Sequence, residues 1–180
     1  PGDGANAFPV ALLAGSGDRA PGLYSARVSL TVNPEWTCAE AMRAIVGYFS
    51  WVLTENAPGI LADWDAEFLH DYRVALRRLR TVVTLSRAVL TDDERDRMKS
   101  DLRLLGSFTS PVRDLDVLLL HGSEYHALLP PELQLGANQF FSWVRQRRED
   151  AYKALKQSMA DGTRDAALRQ WRQHSTGTQW

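Results

Sequence analysis

The sequence predicts an all-α protein, an antiparallel helical bundle of the four-helix-bundle type. Three observations predict it. From Pro34 onward, apolar residues recur at three- and four-residue spacing, the period of one helix face. Glycine and proline punctuate the chain so that helix-length segments lie between them. The connections between segments are short, which makes neighbouring helices antiparallel. The chain has 180 residues, 44% hydrophobic and 24% charged, enough for one core without staples.

Residues 1–33 stand apart. Gly2, Gly4, Gly15, Gly17 and Gly22 interrupt them, with Pro9 and Pro21. They read as an irregular segment or the tail of a preceding domain. A short strand is expected at Leu23–Val32, where Tyr24, Val28, Leu30 and Val32 are spaced by twos or fours. The helical domain is assigned to 34–180. Pro34 suits a first helical position after Asn33 as cap. Met42, Ile45, Val46, Phe49 and Leu53 give Ala39–Leu53 one apolar face, and Asn56, Pro58 and Gly59 are expected to end it.

The next helix runs from about Asp65 to Leu90. Thr91 caps another, from Asp92 to about Leu105, whose first turn carries two aspartates and a glutamate at the positive end of the helix dipole. Gly106 is expected to break it, and Ser110–Pro111 to restart it as far as Leu120. Gly122 and the Pro130–Pro131 pair mark further breaks. A long helix is expected at Gln139–Met159, and Asp161–Gly162 separates it from a short last one.

Composition excludes some functions. The formal net charge is −1, so a generic basic DNA binder is excluded and any anion site must come from local clustering. The single cysteine, Cys38, forms neither an internal disulfide nor a cysteine-rich metal site. It fits a reducing, cytoplasmic compartment and is expected to be a small buried hydrophobe. No apolar run approaches the roughly 20 residues that span a bilayer. His121, His126 and His174 show no metal-ligand spacing to His70, so no metal and no cofactor are expected.

The chemistry concentrates in one helix. His70, Arg73, Arg77 and Arg80 fall within roughly a quarter-turn of one another, because a helix advances about 100° per residue. Leu69, Leu76, Leu79, Val82 and Val83 project from the other side. Successive basic residues sit about 5–6 Å apart, comparable to the repeat of an extended phosphate chain. A guanidinium donates two parallel hydrogen bonds to phosphate oxygens and stays charged at any relevant pH. Such a stripe is by default a solvated face. The local excess argues against that default: Arg73, Arg77, Arg78, Arg80 and Arg87 face only Asp71 after His70, and the helix has no lysine. A lone histidine is more often a hydrogen-bonded structural residue than a ligand, but protonated His70 would add charge to an anion site.

A second constellation is Pro111-Val-Arg113-Asp114-Leu-Asp116. Asp114 and Asp116 read as structural carboxylates that hold arginines of neighbouring helices. Arg113 is a candidate for the same anion groove. Farther on, Arg145, Arg147 and Arg148 form a basic stretch diluted by Glu149 and Asp150. It reads as a solvated face, with Arg148 the candidate for a second groove wall.

The run from Glu67 through His70, Arg73, Arg77, Arg78 and Arg80, followed by Leu104-Leu-Gly106 and Val112-Arg113-Asp114-Leu-Asp116-Val, resembles the CHAD family, the conserved histidine α-helical domain. The resemblance extends from about Pro34 to the C-terminus and is specific between Glu67 and Leu120. It implies paired four-helix bundles around a basic groove that binds inorganic polyphosphate, no catalytic activity of its own, and in some members association with polyphosphate granules. His70, Arg73, Arg77 and Arg80 match the family's basic helix and Arg113 its second motif. Arg78 also matches, at the groove's edge. The chain departs from the family in carrying no second copy of the motif. Either the groove is half-built, or a second chain completes it as a homodimer, or this sequence is one piece of a longer chain. Binding of nucleic acid or an acidic protein by the same face, and a phosphoryl-handling enzyme using His70, are the alternatives. Near-neutral net charge and the lack of a nucleic-acid motif weigh against nucleic acid.

Overall fold

A computed structural model describes residues 33–176. The strand expected at Leu23–Val32 therefore lies outside the described residues. Six helices follow one another: α1 (Cys38–Ala62), α2 (Ala66–Leu85), α3 (Asp92–Leu120), α4 (Gly122–Ala127), α5 (Pro131–Ala160) and α6 (Thr163–Thr176). The described residues contain no strand, and the all-α expectation holds.

Local chemistry sets the starts of the long helices. Thr37 and Glu40 form a capping box at α1, and Thr91 and Glu94 form another at α3. In each, the threonine hydroxyl accepts from the N3 amide while the glutamate accepts from the cap's own amide, so two orphan donors are satisfied. Asp65 caps α2 by accepting from the Glu67 amide at 2.9 Å. Pro131 occupies the first turn of α5, where its missing N–H costs nothing.

Packing then orders the helices. α2 lies between α1 and α3, α3 packs on α5, and α6 returns onto α1. The core gathers Val46, Phe49 and Leu53 of α1, Leu69, Leu76 and Leu79 of α2, and Leu102 and Leu105 of α3. Leu155 and Met159 from the end of α5 join it, as do Leu168 and Trp171 of α6. Trp171 is buried, and its indole N–H donates to Asp101 at 3.2 Å, tying α6 to α3. Phe68 lies flat against Gly59, where a Cβ would stand 2.3 Å from its ring. That glycine lets the end of α1 approach α2.

Several expected boundaries move, each for a physical reason. α1 continues through Pro58 to Ala62. Ala57 and Ile60 are buried against the core, and that burial outweighs the hydrogen bond a proline removes. α3 likewise passes through Gly106 and Pro111 without a break. Leu102, Leu105, Thr109, Val112 and Asp116 are buried along one continuous face, and Pro111 itself is exposed. α5 begins at Pro131 and not at Gln139, because the proline pair starts this helix as well as ending the preceding segment. α2 ends at Leu85, five residues early, with Ser86 as its cap. Asn33 caps a turn, its side chain accepting from the Glu35 amide at 3.0 Å, and not a helix at Pro34. Cys38 sits at the exposed start of α1, so its expected burial is wrong. The Asp161–Gly162 separation is as expected.

Candidate anion-binding face

Two adjacent helices bring the basic residues together. On α2, Arg73, Arg77 and Arg80 follow at helical spacing on the flank beside the buried Leu69, Leu76 and Leu79. They are not on the opposite side, since Leu69 and Leu76 lie only about 20–60° from Arg73 and Arg80 around the helix. α3 packs alongside and presents Gly106, Ser110 and Arg113. Arg73 is half-buried between them. Its guanidinium donates to the Ser110 hydroxyl at 2.7 Å and to the Thr109 hydroxyl at 3.4 Å. Those hydroxyls in turn donate to the Gly106 carbonyl, which fixes the oxygens that receive Arg73. Arg80 reaches the Leu102 carbonyl at 3.3 Å. It does so across Gly106, where a Cβ would stand 3.3 Å from the guanidinium. Arg113 donates to the Ala66 carbonyl at 3.5 Å, so the α3 motif meets the first turn of α2.

Electrostatics confirm the convergence. Burial pushes the Arg73 pKa down first; Asp114 opposes it, and the charges of Arg77, Arg113 and Arg80 each add a smaller lowering. Three guanidinium groups on two helices therefore act on Arg73. Arg77 and Arg80 are exposed. The Arg77 side chain has no hydrogen-bond or ion-pair partner among the described residues. Around Arg73 three other guanidinium charges stand against the one carboxylate of Asp114, and an anion bridging the guanidiniums would relieve the excess.

Two expected site residues sit elsewhere. Arg78 turns toward α1, its guanidinium 5.9 Å from the centroid of the Phe49 ring, away from the α2–α3 junction. Arg148 of α5 is gripped by carboxylates. It donates to Asp63 at 2.8 and 2.6 Å and to Asp116 at 2.6 Å. Those bonds, led by Asp63, raise its pKa despite partial burial. In return the Arg148 guanidinium holds the Asp63 carboxyl below the usual carboxylate range. Arg148 is a clamp joining α1's end, α3 and α5, so it is not a free groove wall. Asp116 thereby takes the structural role expected for it. Asp63 caps α1 with φ 52°, a left-handed conformation that aspartate tolerates better than most residues. Tyr152 reinforces the same corner by donating to the carbonyls of Ile60 and Leu61 at 3.0 and 2.9 Å.

His70 lies half-buried near the start of α2. Its ring has no hydrogen-bond partner among the described residues, so it is not the satisfied structural histidine of the default reading. No group of three or more His, Cys, Asp or Glu side chains among the described residues could hold a metal.

Sequence reasoning missed Gly106, Thr109 and Ser110, because residues 106–111 read as a loop between two helices. A continuous α3 also brings in Arg103, which is exposed. It falls within about 60° of Gly106 and about 20° of Ser110 around the helix.

Fold and site together define a class: a helical bundle whose second and third long helices share an unpaired arginine face. The CHAD domain family model matches residues 48–179, most of the chain, and the chain belongs to that family. No curated protein matches it.

Proposed function

We propose that the α2–α3 face binds inorganic polyphosphate and holds it without cleaving it. One observation carries the reading: Arg73, Arg77, Arg80 and Arg113 crowd together with Asp114 the only carboxylate among the charges acting on Arg73. Salt-bridged arginines are neutralised in place, as Arg148 is. These four are not, and their spacing along α2 suits a repeating row of phosphates. Ser110 and Thr109 hold Arg73 in position, so little side-chain entropy remains to be lost on binding. Arg103 extends the row along α3. His70, unpartnered at one end, contributes charge when protonated. Membership of a family associated with polyphosphate-related proteins supports the same ligand.

No helix of the described chain is long and apolar enough to cross a membrane. The face offers hydrogen-bond donors suited to holding phosphates and no paired carboxylates suited to activating water, which supports binding over turnover.

The test is calorimetric titration with polyphosphate of defined length, followed by competition with single-stranded DNA at equal phosphate concentration. The reading expects saturable binding, an unchanged polyphosphate length after incubation, and DNA that competes at least about tenfold less well. DNA that displaces polyphosphate on equal terms would move the assignment to a general nucleic-acid surface.

A further inference from the structure

The exposed apolar residues are not scattered. Of the eleven large hydrophobic side chains exposed among the described residues, eight lie between Val117 and Trp143. Within α5 they form a pattern. Leu133, Gly136, Phe140, Trp143 and Arg147 follow at intervals of three, four, three and four residues. That is the a/d seam of a coiled coil. Leu133 is 56% exposed, Phe140 46% and Trp143 56%. The other flank of the same helix, Ala137, Phe141 and Val144, is buried within the chain. α5 therefore packs on one flank and leaves a complete heptad seam open beside it.

We propose that this seam pairs with the same seam of a second copy of the chain, antiparallel, about a two-fold axis. Self-complementarity in size and in charge argues for that occupant. In antiparallel heptads, a positions of one helix face d positions of the other. One register pairs the first four seam residues: Leu133 of one copy against Trp143 of the other, and Gly136 against Phe140, each occurring twice by symmetry. A ring then covers a glycine whose Cβ direction meets nothing within 4 Å. A parallel pairing would set glycine against glycine and leave a void.

Charge agrees with the same orientation. Between Pro131 and Arg147 the only acid is Glu132, at the start, and the bases Arg145 and Arg147 lie at the end. The antiparallel pairing brings each Glu132 to the other copy's Arg147, whereas the parallel one sets like against like. Arg147 already leans over Trp143, its guanidinium 5.6 Å from the ring centroid, and Phe140 stacks on Trp143 with centroids 6.1 Å apart. Neighbouring side chains of the seam thus already contact one another. Its four layers span roughly 15–20 Å of helix, less than a standard interface needs, so the dimer is a reversible one with Kd of order micromolar.

Sedimentation equilibrium on the 180-residue chain, without polyphosphate, reads this independently of the anion face. The expected result is a reversible monomer–dimer equilibrium. F140D weakens association roughly 30-fold or more, with helicity and Tm unchanged because Phe140 is exposed. E132R and R147E each weaken it severalfold, and the double variant E132R/R147E recovers most of the loss. Several outcomes would overturn the proposal. They are a chain that stays monomeric to about 100-fold above that Kd, association that ignores F140D, and a charge swap that fails to recover. A monomeric chain would assign the seam to a different partner or to further chain.

Discussion

Arg73 and Arg148 are the same residue at similar depth in the same bundle, and their surroundings treat them in opposite ways. Arg148 meets two carboxylates, Asp63 and Asp116, and its charge is held more firmly than in water. Arg73 meets two hydroxyls, and burial, followed by three other arginines and opposed by Asp114, destabilises its charge. The first arrangement is complete without a ligand. The second has one carboxylate, Asp114, against four guanidiniums, and the proposed polyanion would supply the missing counter-charge. Counting arginines does not separate the two roles; their neighbours on adjoining helices do.

Substitution should break the comparison most sharply at α2. The triple variant R73A/R77A/R80A is expected to lose at least about 100-fold in polyphosphate affinity, because each charge-assisted contact contributes on the order of 1 kcal/mol or more. Its fold should persist, since Arg77 and Arg80 are exposed. Circular dichroism and titration of the same sample check both halves.

R148A should do the reverse. It leaves Asp116, whose side chain is only 6% exposed, without its cation. A loss of about 2–3 kcal/mol in unfolding free energy is expected, with polyphosphate affinity unchanged within about twofold at a temperature where the variant is folded. Urea denaturation measures the first and calorimetry the second.

Acid should expose the same clamp. The folded-state pKa of Asp63 is lowered, so its contribution is present above the unfolded value of about 4. It is lost as pH falls through the folded value. The stability difference between wild type and R148A should therefore narrow below about pH 4. Tm profiles across that range test it, and a constant difference would remove Asp63 from the account.

The smallest effect belongs to G106A. Alanine in the interior of α3 should stabilise the fold by about 0.5–1 kcal/mol. Its Cβ would also press the Arg80 guanidinium from 3.3 Å, lowering affinity by less than about threefold. A gain in stability with a slight loss in binding would show that Gly106 serves the arginine and not the helix.

Much of this was legible in the sequence. The periodic apolar spacing marked the helices, and the arginine row of α2 follows directly from its 3.6-residue period. Whatever depended on tertiary packing was not. Pro58, Gly106 and Pro111 are local breakers, and only the buried faces on either side of them carry the helices through. Reading α3 as two helices hid Ser110 and Gly106, which shape the site. Arg148 and Arg78 looked like Arg73 because a single chain does not display which carboxylate or ring lies opposite. Asp63 gave no signal at all, since its partner is 85 residues away.

The salt dependence of polyphosphate binding tests the central claim most directly. Four arginines engaging phosphates should release counterions so that log K falls with log salt at a slope of about −3, taking the single-strand value per contact. In R73A/R77A/R80A the slope should shrink to about −1, with Arg113 remaining. A wild-type slope near zero, or one that the triple variant leaves unchanged, would contradict the assignment of the α2–α3 face.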